Sequence, residues 1–209
     1  MRPFTLAMIL GLVAERSAAQ ASAPVTHHQL TDHIALDLPR AWTATGSFAP
    51  GIQDSIDAII RRAKDTLLAA SQRNGPARTL LVAQEPGGAL TLNLNVSPAP
   101  GVTLGTFGQF APGDFVSHAQ MLCRVMTDAM AAASASLDSC GPSVADSAGE
   151  RTIIVLEYRR HGANGSFACW LVQYAIPDAI VSLTLVAREA DAARGKGTFT
   201  QIWRAVAVQ

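Results

Sequence analysis

Lysine is nearly missing from this 209-residue chain: of its 16 basic residues, only Lys64 and Lys196 are not arginine. A GC-rich coding bias accounts for that more simply than arginine-specific chemistry does. An excess of either charge is missing too, since 16 Lys and Arg face 16 Asp and Glu. A balanced chain lacks the basic footprint that holds a phosphate backbone, which argues against nucleic acid and against an anionic membrane surface as the main partner. Long apolar runs are absent beyond the N-terminus. Asp, Glu or Arg punctuates every later apolar segment before it reaches the roughly 20 residues of a membrane span. Catalytic wording is also lacking. There is no Gly-x-Ser-x-Gly elbow, and neither a Walker loop nor a strand–GxGxxG–helix unit. Gly105–Gly113 has no Lys-Ser/Thr ending, and Gly195-Lys196-Gly197 follows no phosphate-loop pattern. The carboxylates are scattered, with no pair at glycosidase-type spacing.

What is present begins with an export signal. Met1 and Arg2 supply a short positive region, Phe4 to Ala14 an apolar stretch, and Ala19-Gln20-Ala21 an A-x-A cleavage site that leaves Ser22 as the mature N-terminus. Glu15 and Arg16 stop the apolar stretch well short of a membrane span. No cysteine sits near the cleavage site, so the expected product carries no lipid there and keeps no stable membrane insertion once the signal is removed. Residues 1–21 are thus read as a signal peptide, 22–31 as a flexible polar leader, and 32–209 as one domain, long enough to bury a real core.

Ile34, Leu36 and Leu38 alternate with Ala35 and Asp37, a half-buried strand that Pro39 ends before Trp42. Ile52, Ile56, Ile59, Ile60, Ala63, Leu67 and Leu68 recur at helical spacing, and Gly75-Pro76 terminates that segment. Thr79–Glu85 and Ala89–Val96 read as a hairpin around Pro86-Gly87-Gly88. Asp114 is a plausible N-cap for a helix to about Ala133, with Phe115, Ala119, Leu122, Met126, Ala129 and Met130 inward. Residues 134–149 read as an irregular polar connection. Thr152–Arg160, Ser166–Ile176 and Ile180–Arg188 form an antiparallel meander whose middle strand is apolar on both parities, as if covered on both faces. A loop with Gly195 and Gly197 then leads to a short helix with Phe199, Ile202, Trp203 and Val206 on one stripe. The predicted class is α+β: a largely antiparallel sheet with helices on both faces.

Ile34-Ala35-Leu36-Asp37-Leu38-Pro39-Arg40-Ala41-Trp42 resembles the opening of the PsbP-like, DcrB-like and Ran-binding Mog-type family. Gln173-Tyr174-Ala175-Ile176, a turn, then Val181-Ser182-Leu183-Thr184-Leu185 resembles its paired late strands, and Phe199 to Val206 its closing helix. The resemblance implies an α/β/α sandwich and a binding or assembly role in place of catalysis. It brings no catalytic motif and no cofactor. The absent lipobox departs from the lipoprotein members.

Cys123, Cys140 and Cys169 would enter an oxidising compartment after export, and three cysteines allow one intramolecular bridge. From Cys123 the helix runs on for about 16 Å, and the return to Cys140 can span roughly 20 Å. A Cys123–Cys140 bridge is therefore feasible and the preferred pairing; Cys140–Cys169 is the rival. Cys169 shares strand parity with Phe167 and Leu171 and reads as a buried, inert thiol.

His27, His28 and His33 have a spacing that could present imidazoles to zinc or copper, but no completing ligands lie nearby, so no metal is assigned. His118, four residues after Asp114, reads as part of a solvated polar pair. Aromatics and arginines supply the candidate binding residues: Trp42, Phe48, Phe107, Phe110, Arg159 and Arg160, exposed aromatics beside arginine being typical of binding surfaces. Core packing is the competing role for most of the aromatics.

The functional expectation is an exported periplasmic, non-enzymatic binding or accessory protein acting on an envelope protein or complex. A soluble carrier of a small apolar ligand is the alternative, followed by a hydrolase or thiol enzyme whose residues meet only in three dimensions. Partner identity and oligomeric state are not fixed by the sequence.

Overall fold

The structure, a computed structural model, describes residues 24–46 and 77–208. The signal stretch 1–21, the amphipathic segment 52–73 and Phe48 lie outside the described residues. In chain order the strands are β1 (Val25–Thr31), β2 (Ile34–Pro39), β3 (Thr43–Gly46), β4 (Arg78–Gln84), β5 (Leu90–Pro98), β6 (Ser136–Ala148), β7 (Arg151–Gly162), β8 (Gly165–Ile176), β9 (Ala179–Arg188) and β10 (Ala207–Val208). The helices are α1 (Pro112–Ala132) and α2 (Ala192–Arg204).

Seven strands form one antiparallel sheet in the order β3-β4-β5-β9-β8-β7-β6, and β1-β2-β10 form a smaller one. The predicted hairpin and meander are both there. Their strands join where Leu94 faces Leu183, which faces Val172, which faces Val155. Alternation along these strands gives the large sheet two distinct faces. On the front face Leu81, Leu92, Leu94, Val172, Trp170, Tyr174, Leu183 and Leu185 are buried, together with Ile34, Leu36 and Leu38 of β2. Between the sheets lies α2, whose Phe199, Ile202, Trp203 and the following Val206 repeat at i, i+3, i+4 and i+7 and are all buried. Each large side chain buried in this way stabilises the fold by about 1.5–3 kcal/mol. On the back face Ile154 and Ala175 are covered by Phe107 from a short turn at Thr106–Gln109, and α1 packs over β6. Helices on both faces of the antiparallel sheet agree with the expected class, and β8 is covered on both sides.

The structure corrects the sequence reading at five places. Val25–Thr31, read as flexible leader, pairs with β2 as β1. Ser136–Ala148, read as irregular, is the thirteen-residue edge strand β6; its serines and aspartates hide it because only one of its edges and part of its faces are covered. The N-cap of α1 is Ala111, and Asp114 sits at N3, where its Oδ2 accepts the Ala111 N–H at 2.7 Å. Along α1 only Ala119 of the expected inner face is fully buried, and Ala129 is exposed.

Gly195 and Gly197 belong to α2 and not to a loop. Glycine within a helix costs about 1 kcal/mol relative to alanine. At Gly195 tertiary packing requires it: a Cβ there would stand 2.8 Å from the Cβ of Ala187 and 3.1 Å from Leu90 Cδ2.

Candidate functional site

Of the six residues singled out from sequence, the five described ones do not share a surface. Trp42 is half-buried on the front face, edge-on to Phe199 at 6.4 Å. Phe107 is buried on the back face, with Phe110 edge-on to it at 5.5 Å. Arg159 and Arg160 are consecutive on β7 and so point to opposite faces. Arg159 pairs with Glu157 and Glu189, whereas the Arg160 guanidinium lies 4.6 Å over the ring of Phe167. Phe48 lies outside the described residues. Trp42, Phe107 and Phe110 each pack against neighbouring rings.

Two polar clusters form that sequence reading missed. The first lies under α1 on the back face. His118 is not half of a solvated pair with Asp114: its Nδ1 hydrogen-bonds Ser143 Oγ at 3.1 Å, and its ring meets Phe107 and Phe110. Burial lowers its pKa, against the opposing pull of a hydrogen bond with Gln173, so the imidazole is neutral near pH 7. Serine beside neutral histidine is the first half of a nucleophilic dyad. Ser143, however, is only 5% exposed, which leaves a substrate no approach to its hydroxyl. Cys169 is likewise fully buried and unbridged, and burial raises its pKa against the opposing charge of Arg160, keeping it a thiol.

The second cluster is open to solvent. Between α2 and the β6–β7 end of the front face runs a groove of about 450 Å³, with Val144 and Val155 on its floor. Its ends are closed by two matching arrangements. At one, the Trp170 indole N–H donates to Glu157 Oε2 at 3.1 Å, and Lys196 Nζ donates to the same oxygen at 3.0 Å. At the other, the Trp203 indole N–H donates to Asp146 Oδ2 at 3.1 Å, and Arg204 Nη2 reaches Asp146 Oδ1 at 3.0 Å. Both indoles are buried and cannot turn away.

Burial works to raise the pKa of Glu157, but the hydrogen bonds from Lys196 and Trp170 and the charges of Lys196 and Arg159 outweigh it and hold the group low. Burial likewise works to raise Asp146, and the Ser147 N–H, Arg204 and Trp203 together hold it low. Each carboxylate is therefore fixed in place and ionised at neutral pH. The groove can receive an apolar body and present two oriented charges, whereas proton transfer near pH 7 suits neither acid.

The alternation of β6 and β7 places Val144 and Val155, and separately Asp146 and Glu157, on the front face. That alternation is readable in the sequence of β7, but the polar composition of β6 hides the other half of the groove. The Cys123–Cys140 bridge is present, with Cα atoms 6.0 Å apart, and it ties α1 to β6 from the back.

No family model matches the chain, and no curated protein sequence matches it. A crystal structure of PA94, a protein of unknown function from Pseudomonas aeruginosa, aligns with a TM-score of 0.36 at 13% identity over 85% of this chain and 92% of that one, a likeness too loose to argue from. The solution structure of cyanobacterial PsbP (CyanoP) from Synechocystis sp. PCC 6803 aligns with a TM-score of 0.57 at 12% identity, covering 91% of this chain and 96% of that one. At that identity the similarity carries architecture and not residue roles: the chain has a PsbP-like fold.

Proposed function

We propose that this chain is an exported, non-enzymatic binding protein that acts on an envelope protein or assembly, with the groove between α2 and β6–β7 as its binding site. The observation that carries the reading is that groove. Its floor is apolar, its two carboxylates are paired and fixed in place, and its volume of about 450 Å³ falls in the range of built ligand sites. Export is supported by the signal-like order of residues 1–21 and by the Cys123–Cys140 disulfide, a bond that persists in oxidising compartments. No helix among the described residues is long and apolar enough to cross a membrane. Within the family the sequence resembles, export favours the envelope members over those that bind a nuclear GTPase.

The volume of the groove also favours a second reading, a carrier of a small apolar ligand. Crosslinking in intact cells followed by mass spectrometry tests the first. The expected result is an envelope protein joined to peptides that contain Lys196 or its neighbours. Turnover of a substrate by the purified protein, with no partner captured, would overturn the reading.

A further inference from the structure

The two ends of the groove follow one plan, with Arg159 adding a second cation to Glu157 at 3.2 Å, and their asymmetry between anion and cation defines the ligand it would hold. Glu157 lies four residues along β7 from Ile153, the partner of Asp146, which separates the two acidic positions by about 13 Å of strand. Lys196 and Arg204 are eight residues apart on α2, about 12 Å of helix. The two ion pairs thus cross the groove as parallel clasps, with Val144 and Val155 between them.

In each clasp the anion is the more enclosed partner. Side-chain exposure is 36% for Glu157 against 59% for Lys196, and 22% for Asp146 against 56% for Arg204. The carboxylates are also anchored by buried indole N–H groups, whereas the cations ride on long flexible stems. An exposed ion pair contributes little to stability, so a ligand cation can replace Lys196 or Arg204 with little loss. A ligand anion would have to displace carboxylates that two buried indoles hold in place.

From this geometry we propose that the groove takes a linear ligand with two cationic groups joined by an apolar chain, an α,ω-diamine or polyamine, which lays its methylenes over Val144 and Val155 and places its ammonium groups at Asp146 and Glu157. This rests on the groove being the binding site.

Isothermal titration of the purified protein with diaminooctane tests it. Saturable binding is expected, weakened at least tenfold (about one decade in Kd) for octylamine and for the shorter diaminobutane, and falling as salt screens the charges. D146N and E157Q should each weaken binding, with the circular dichroism spectrum unchanged. Should those variants fail to fold, the K196Q/R204Q double variant decides. Removal of the competing cations should tighten diamine binding several-fold, whereas a site built on the cations would lose its ligand.

Absence of binding heat, equal binding of octanoate or octanol, weaker binding by K196Q/R204Q, or binding confined to a dibasic peptide would each overturn the proposal. A crosslinked envelope partner at Lys196 together with no diamine binding would leave the proposed function standing and this inference refuted.

Discussion

At Gly195 the side chain that is missing matters more than any neighbour that is present. The glycine lets α2 approach β5 and β9 so closely that even a methyl group would collide with Ala187 and Leu90. Gly195→Ala should lower unfolding stability by about 1–3 kcal/mol through overpacking, measured by urea denaturation, although alanine is intrinsically the better helix former. Gly197, whose added Cβ meets nothing within 4 Å, provides the contrast: there the same substitution should be neutral or stabilising.

The acids closing the groove also have a pH signature. Asp146 and Glu157 are held low in the fold, so the unfolded chain takes up their protons first. Their contribution to stability is complete above the ordinary carboxylate range and is lost as pH falls below that range through their lowered values. His118, also lowered by burial, adds stability that is present above its ordinary value of 6.5 and declines as pH falls below it. Thermal midpoints recorded across this range should show both losses. His118→Gln should flatten the upper one, and an unchanged profile in that variant would refute the assignment.

Of the two described helices, α1 is the less embedded. It buries only Ala119 fully, while Val116 and Met121 are each 54% exposed. Apolar burial alone holds it weakly, and the Cys123–Cys140 bond joins it to the bulged part of β6. Closing a loop of this length stabilises a fold by about 3 kcal/mol. The C123S/C140S variant should lose about that amount. In hydrogen exchange α1 and β6 should lose protection first, while β8 and β9, at the centre of the sheet, stay protected. Loss spread evenly over all the strands would count against this account.

The same elements show how far sequence could be read. β7, β8 and β9 are rich in Val, Ile and Leu because both faces or one whole face are buried, and the spans expected from sequence agree with theirs to within two residues. β6 has the opposite composition. An edge strand whose outer side meets water needs no apolar alternation, and only its pairing with β7 reveals it. β1 escaped for a related reason, since its polar residues rest on β2 with most side chains exposed.

For the whole molecule, export is the property most easily checked. Mass spectrometry of protein recovered from outside the cytoplasm should find a chain beginning at Ser22, and a product that retains residues 1–21 would contradict the signal reading. The candidate site also belongs to this scale. Asp146, Glu157, Lys196 and Arg204 come from two strands and a helix, and no local spacing links 146 to 204. The described candidate aromatics lie on opposite faces of the sheet, Trp42 in front and Phe107 and Phe110 behind, where a large apolar side chain gains from burial.

The sequence by itself determined the class of fold, the meander, the apolar stripe of the last helix and, through chain reach, the preferred disulfide, because periodicity and linker length are local quantities. Only the tertiary structure decided the groove. Its walls exist because β6 pairs at the sheet edge while α2 stops short of covering it. Its charges point inward because two buried indoles, far apart in the chain, each hold one carboxylate in place.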